Sequence, residues 1–284
     1  MELKAYAKIN LGLDVIRRRE DGYHEVCMIM QNIGIHDDLS VLRIEKEDIV
    51  IRTNNAELPV DKSNLIYKAA KLMFDEFNLP GGVDITLTKN IPVAAGLAGG
   101  STDAAATFIA INELFDLKLS KEELMKRGVK IGADVPYCIL GGTALSEGIG
   151  EILTSLPACP KCTVLIAKPP VGVSTKHVYE SLNLASVEHP DIKAIVSAIE
   201  EGSIEKVASN LGNVLESVTE NEHQEITEIK KMMIEEGAIA SLMSGSGPTV
   251  FGLFLDESLA KNCKDRIEKS NIAKDIVLTG MVNE

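Results

Sequence analysis

The sequence predicts a two-domain α+β protein, on three observations. Its 284 residues, 45% hydrophobic and 25% charged, suit two ordinary soluble domains. The second half has the order β, helices, β, β, α, β, which is the split βαβ, ferredoxin-like plan with extra helices in its first crossover. Between the halves lies Leu153 to Lys161, with Pro157 and Pro160, which sets the expected domains at 1–156 and 157–284.

Ala7 to Leu11 alternates like a strand, with Lys8 and Asn10 on one face, ordinarily the wet one. Asp21-Gly22-Tyr23-His24 is a turn signal, read plainly as a hairpin tip. Ser63 to Phe77 is helical, with Leu65, Ala69, Leu72 and Met73 on one face. Val83 to Leu87 is a half-buried strand, and the Ala-rich run Asp103 to Phe115 a helix against a core. Ser120-Lys121-Glu122-Glu123 is a capping box opening a further helix that Gly128 ends. Beyond the boundary, Thr163 to Ala167 is a strand. Helical patterns follow over Asp191 to Glu201, Ile204 to Val214 and His223 to Glu236. Strands Ala238 to Met243 and Thr249 to Leu255 flank the turn Ser244-Gly245-Ser246-Gly247-Pro248. A helix, Glu257 to Lys269, and a strand, Ile276 to Met281, complete the pattern.

Composition excludes several function classes. Lys plus Arg is 29 against 42 Asp plus Glu, a net charge of −13, so no sequence-wide footprint exists for nucleic acid or an anionic membrane. With 6 Phe, 5 Tyr and no Trp, any stacking site is small. The five cysteines are an odd set, which argues against a disulfide framework. Cys159 and Cys162 form a lone CxxC, read as two buried or loop thiols, with a metal or redox pair as the alternative. The histidines show no HExxH spacing, against zinc, and there is no GxSxG elbow. Met1 to Asn10 does not read as a signal peptide. The longest uncharged stretch, Gly237 to Leu255, is broken by its Gly-Pro turn. A cytoplasmic protein is expected.

Two segments stand out chemically. The first is Pro92-Val93-Ala94-Ala95-Gly96-Leu97-Ala98-Gly99-Gly100-Ser101-Thr102-Asp103, between a strand and a helix. Its glycines let backbone amides converge, and the helix start adds partial positive charge, a ready site for phosphate. The alternative is a Gly-rich cap loop, with Thr102 or Asp103 as the cap. It is not a Walker A loop, because no Lys follows Gly100, nor is it GxGxxG. The second is Gly132-Ala133-Asp134-Val135-Pro136, which sets a carboxylate in a tight turn, ordinarily a turn or cap residue.

In this order, Lys8 to Leu13, Pro92 to Ala106 and Ser244 to Gly252 resemble the three motifs of the GHMP small-molecule kinases, and the resemblance spans essentially the whole chain. Asp21-Gly22-Tyr23-His24-Glu25 and Gly132-Ala133-Asp134-Val135-Pro136 narrow it to members whose acceptor carries a cytidine diphosphate. Tyr137-Cys138 stands where such members commonly have an aromatic pair, a departure that touches packing. The resemblance implies an N-terminal ATP domain of the ribosomal-protein-S5-domain-2-like type and a ferredoxin-like C-terminal domain. It implies transfer of the γ-phosphoryl of ATP to the 2-hydroxyl of a methylerythritol bearing cytidine diphosphate, in the non-mevalonate route to isoprenoid precursors.

Residue by residue, the resemblance implies that Pro92, Val93, Ala94, Ala95, Gly96, Leu97, Ala98, Gly99, Gly100, Ser101 and Thr102 cradle the triphosphate. Mg²⁺ accompanies ATP, with Ser101 its one protein ligand or none direct. Asp134 matches the base and Lys8 its partner. An ammonium 4 Å from a carboxylate contributes about 4 kcal/mol at an effective dielectric of 20, which keeps Asp134 ionised but weakens it as a base. Tyr23 and Tyr179 would sandwich the cytosine, with His24 on its edge. Asn10 would meet the acceptor's polar groups. Asn64 and Lys89 would take the adenosine end, the alternative for Lys89 being a solvated charge at a strand end. Ser244, Gly245, Ser246 and Gly247 would close over the phosphates. A monomer or weak homodimer is implied. The competing expectations are a homoserine- or mevalonate-type kinase, a diphosphomevalonate decarboxylase-like enzyme, and a non-catalytic ligand sensor on the same scaffold.

Overall fold

A computed structural model describes residues 1–283. In chain order it contains β1 (Glu2–Arg18), β2 (His24–Ile44), β3 (Ile49–Thr53), α1 (Leu65–Phe77), β4 (Gly82–Thr88), α2 (Gly99–Leu114), α3 (Lys121–Gly128) and α4 (Val135–Leu140). There follow β5 (Thr143–Gly148), β6 (Ile152–Ser155), β7 (Thr163–Lys168), α5 (Thr175–Ser181), α6 (Ile192–Glu200), α7 (Ile204–Ser209) and β8 (Gly212–Asn213). The last elements are α8 (Glu216–Glu222), α9 (Gln224–Glu235), β9 (Ala240–Met243), β10 (Val250–Phe254), α10 (Glu257–Ser270) and β11 (Asp275–Gly280). These elements divide between two compact units, interleaved along the chain. The first comprises Met1–Ala7, Ile35–Val93 and Ala98–Leu140; the second comprises Lys8–Gly34, Ala94–Leu97 and the chain from Gly141 onward.

In the first unit, β4 pairs antiparallel with β2 over Asp38–Ile44 and parallel with β3. Helices α1 and α2 cover this sheet. Ile66, Ala69, Ala70 and Met73 of α1 and Ala104, Ala105, Phe108 and Ile111 of α2 join Leu39, Val41 and Ile85 in one core. Alanines on α2 keep that helix close to its neighbours, so the backbone at its N-terminus is held by packing and not by a side-chain cap. The capping box of α3 forms as its sequence predicts: Ser120 Oγ accepts from Glu123 N, and Glu123 accepts from Ser120 N.

In the second unit, β2 pairs with β5 over Val26–Gln31, β5 pairs with β6, and β8 lies parallel to β1 at Gly12 and Leu13. Gly12 admits α6, since a Cβ there would stand 2.7 Å from Ile192 and Ile195 side-chain carbons. A separate antiparallel sheet has the order β11-β7-β10-β9. Its first strand, β7, thus lies between the last and the third, as the split βαβ plan requires. Every residue of β10 is buried, as are Val164 to Ala167 of β7. Ile226, Ile229 and Met233 of α9 and Ala260, Cys263 and Ile267 of α10 are buried as well.

The expected elements differ from the observed ones in identifiable ways. Helix α2 starts at Gly99, four residues before Asp103, and its N-cap is Ala98 at φ 59° with no side-chain cap bond. Thr102 and Asp103 are therefore inside the helix, not caps. The helix expected over Ile204 to Val214 stops at Ser209, because Gly212 and Asn213 pair with β1. Strands β2, β3, β5, β6 and β8 and helices α4, α5 and α8 escaped the pattern reading; β2 is buried on both faces from Met28 to Ile33 and alternates only beyond, from Gly34 to Val41. Lys8 and Asn10 are not on a wet face: β1 is buried on both sides from Ala7 to Val15. Cys159 and Cys162 are free thiols, both pushed up to about 12 by burial. Among the described residues no helix is long and apolar enough to cross a membrane.

Candidate active site

Within the second unit, three distant stretches of sequence converge on one carbonyl oxygen. Gly96 O accepts from Lys8 Nζ at 3.0 Å and from Ser244 Oγ at 3.0 Å. Lys8 Nζ also donates to Asn10 Oδ1 at 2.7 Å, and Lys8 N to Leu97 O at 3.2 Å. Asn10 Nδ2 reaches Met28 Sδ at 3.6 Å. The strand period of two sets Lys8 and Asn10 side by side, and at 4% and 0% exposure they take each other, the loop and Met28 as partners. An ammonium has three donors, so one N–H of Lys8 remains for a further acceptor. Gly96 is required here: at φ 72°, a Cβ would stand 2.2 Å from Ser244 O. Gly245, at φ 59°, lies against the same group: its Cβ position is 3.2 Å from Gly96 O, 3.5 Å from Lys8 Nζ and 3.6 Å from Asn10 Oδ1.

The loop from Ala94 to Ala98 has left-handed residues at alternate positions, Ala94 at φ 50°, Gly96 at φ 72° and Ala98 at φ 59°. Alternation of this kind turns successive amides towards one side, a nest for an anion. Helix α2 continues it, since the first N–H groups of a helix have no partner within it; the first such bond runs from Thr102 N to Ala98 O. The loop and the helix start each offer amides that suit phosphate oxygens. For a divalent cation, Ser101 of the first turn offers a hydroxyl, and no cluster of three or more His, Cys, Asp or Glu exists among the described residues. That donor set fits an Mg²⁺ held mainly by phosphate oxygens and water.

Within the first unit, Lys89 is not a solvated strand-end charge. Its Nζ pairs with Asp37 Oδ2 and, at 3.0 Å, with Asp103 Oδ2, all three side chains being at most 4% exposed. Asp37 Oδ1 accepts from Asn90 N at 2.6 Å and Ile91 N at 2.8 Å, which fixes the entry to the glycine-rich loop. The cluster ties the end of β4, β2 and α2 together. Gly99 leaves room for it, a Cβ there lying 2.8 Å from Lys89 Nζ.

Two carboxylates face one ammonium, and Asp103 Oδ1 has no partner. Burial, set against the Lys89 charge, pushes Asp103 up to about 8. Its proton is thus held in the folded chain where the unfolded chain, with an Asp near 3.9, has released it. Stability from this group is full at low pH and falls as pH rises to about 8. Asp103→Asn is therefore expected to gain stability relative to the parent as pH rises from 5 to about 8. Urea denaturation at both ends of that window checks it; an equal difference at the two would contradict it.

The remaining site residues divide between the units. Asp134 is half-buried in the first unit, directly before α4, where its carbonyl accepts from Cys138 N at 3.0 Å. The same turn passes near α2: a Cβ on Gly132 would lie 4.0 Å from Ser101 Oγ. Asn64 caps α1, accepting from Ile66 N at 2.9 Å and donating to Pro59 O at 2.6 Å. Pro92 and Val93 lead into the loop from the first unit, while Ala95 and Leu97 are buried in the second. In the second unit the His24 and Tyr179 rings lie 5.1 Å apart, tilted by 41°. Tyr23, at 59% exposure, crowns the hairpin tip, its amide held by Asp21 Oδ1 at 3.1 Å. Burial and then the Arg18 charge lower the His24 pKa, favouring a neutral imidazole. Thr175 and Ser246 hydroxyls meet at 2.9 Å. Asp37 escaped the pattern reading because nothing in its local sequence marks it; Asp103 was visible only as a cap candidate.

Fold and site together define a small-molecule kinase. Residues 64–142 match the model of the GHMP kinases N terminal domain and residues 195–273 that of GHMP kinases C terminal, and the chain belongs to this family. It is 55% identical to 4-diphosphocytidyl-2-C-methyl-D-erythritol kinase of Lachnospira eligens, over 98% of this chain and 97% of the relative. It is 52% identical to the Bacillus subtilis protein of the same name, over 90% of this chain and 88% of the relative. A crystal structure of 4-(cytidine 5'-diphospho)-2C-methyl-D-erythritol kinase superposes with a TM-score of 0.85 at 31% identity, covering both chains fully. Homoserine kinase from Cytophaga hutchinsonii, at TM-score 0.73 and 18% identity over 98% of this chain and 94% of that one, shares the fold.

Proposed function

We propose that this protein transfers the γ-phosphoryl of ATP to the 2-hydroxyl of 4-diphosphocytidyl-2-C-methyl-D-erythritol, giving the 2-phosphate and ADP, in the non-mevalonate route to isoprenoid precursors. The observation that carries this is the convergence of the three family motifs on Gly96 O, through Lys8 and Ser244, in a chain so similar to relatives of that name. Residues 1–156 form the ATP domain, which also brings Asn10, Tyr23, His24 and Asp134 to the acceptor, and 157–284 the substrate-side domain; the protein acts in the cytoplasm, as a monomer or weak homodimer. Asp134 orients the acceptor hydroxyl and accepts its proton as the new O–P bond forms and the bond to the β-phosphate oxygen breaks. Lys8 offsets charge on the transferred group. The loop Pro92–Thr102 and Ser244–Gly247 hold phosphates through backbone amides. Mg²⁺, when bound, would neutralise phosphate charge during the transfer, with Ser101 its one protein ligand or none direct. Alignment supplies most of the acceleration, roughly 7–11 kcal/mol in well-oriented systems. Backbone amides and lysines gather these anions locally, so a net charge of −13 is no obstacle.

Tyr23 and Tyr179 stack on the two faces of the cytosine and His24 meets its edge. Stacking of one base on an aromatic ring contributes about 1–3 kcal/mol. Tyr23→Ala is therefore expected to raise the KM for the cytidyl substrate by about 5- to 150-fold and to leave the KM for ATP unchanged. Steady-state kinetics checks it, and an unchanged cytidyl KM would remove Tyr23 from the clamp. The clamp also argues against homoserine or mevalonate as acceptor, since neither carries a base to stack. ADP release with Mg-ATP and each of the three acceptors separates these readings. Release with the cytidyl substrate alone is expected. Release with another acceptor would overturn the assigned substrate, carbon dioxide from a mevalonate diphosphate would identify a decarboxylase, and silence with retained ATP binding would indicate a sensor.

A further inference from the structure

One segment that no motif covers grips the Ser-Gly-Ser-Gly loop from behind. Asn213 Nδ2 donates to Met243 O at 2.9 Å and to Gly245 O at 2.8 Å, while its Oδ1 accepts from Leu215 N at 3.0 Å. Thr219 Oγ1 donates to Ser246 O at 3.2 Å. Glu216 Oε1 accepts from Met243 N at 2.7 Å and is held by Lys230 Nζ at 2.9 Å. Asn213 and Thr219 are buried. Asn213 also sits on β8, opposite Leu13 of β1, and the bond Val214 N to Leu13 O at 3.1 Å continues that pairing. The strand that carries Lys8 and Asn10 is thus joined to the loop that carries Ser244 through the residues around Asn213.

We infer that Asn213 is a positioning residue for phosphoryl transfer, with Thr219 as its auxiliary. This rests on the kinase reading above. A carboxamide that donates twice and accepts once satisfies three buried backbone groups at a sharp turn, where glycines at φ 59° and 84° supply no side chains of their own. Loop carbonyls tied towards β8 and α8 leave the loop free to present amides and Ser244 on the opposite side. Ser244 in turn shares Gly96 O with Lys8. A loop that drifts therefore displaces the acceptor oxygen on which the Lys8 ammonium is seated. Misplacement of a reacting group by about 1 Å costs on the order of 10²-fold in rate, and binding of the adenosine end is untouched by it.

The test is Asn213→Asp, which keeps the shape and replaces two donors by an oxygen facing two carbonyls. In folded protein, kcat is expected to fall about 10²-fold with the KM for ATP within threefold, and hydrogen exchange of residues 243–249 is expected to quicken. Thr219→Val should lower kcat in the same direction, and Thr219→Ser, which keeps the hydroxyl, should restore it. That pair carries the test if Asn213→Asp does not fold. A parent active on the cytidyl substrate whose folded variants keep its kcat would overturn the role of Asn213 and leave the kinase reading intact. A parent that releases no ADP with any acceptor would overturn the kinase reading and this role with it.

Discussion

Asp134→Asn is expected to lower turnover by about 10²–10⁴-fold, the range a positioned acid or base contributes, with ATP binding retained. The asparagine keeps the shape and a hydrogen-bond acceptor for the acceptor hydroxyl but takes up no proton. A loose transition state asks little of a base until late in the transfer, which favours the lower end of the range. The position suits the task. Asp134 directly precedes α4, and its backbone carbonyl accepts from Cys138 N, a bond the substitution leaves in place. ATP affinity from equilibrium binding and kcat from single turnover check both halves. Near-normal turnover would remove Asp134 from the chemistry.

Lys8→Met is expected to lower kcat by 10²-fold or more, on the order of one positioned electrostatic donor. Methionine fills the buried space of the lysine stem without its charge. The structural cost is bounded. Gly96 O keeps Ser244 Oγ as a donor, whereas Asn10 Oδ1 loses Lys8 Nζ, and one orphaned buried acceptor costs about 1–3 kcal/mol. The variant should therefore fold, with a lower midpoint in urea. Turnover within twofold of the parent would contradict the assignment of Lys8.

The C-terminal sheet was legible because its strands are short, flanked by turns and separated by strongly amphipathic helices, so period and punctuation agreed. The N-terminal sheet was not. Strand β1 is buried on both faces from Ala7 to Val15, and β2 from Met28 to Ile33; two-sided burial erases the alternation by which a strand is recognised. The same burial explains Lys8 and Asn10. A polar pair on a strand face reads as solvated, and only the fold shows that Gly96 and Met28 take the place of water. Helix α2 began early because tight packing on alanines, not a capping side chain, fixes its start. The alternative reading of Lys89, a solvated charge, fails because its two partners, Asp37 and Asp103, lie 52 and 14 residues away, beyond any local pattern. Asn213, Glu216 and Thr219 carry no motif at all, since their work is to satisfy backbone groups of a loop some 30 residues on.

The most direct measurement is phosphorus NMR of the product formed from Mg-ATP and 4-diphosphocytidyl-2-C-methyl-D-erythritol. One new phosphomonoester, coupled to the carbon that bears the 2-hydroxyl and formed in equal amount with ADP, is the predicted result. A phosphate on any other hydroxyl, or ADP formed with inorganic phosphate and unchanged acceptor, would contradict it.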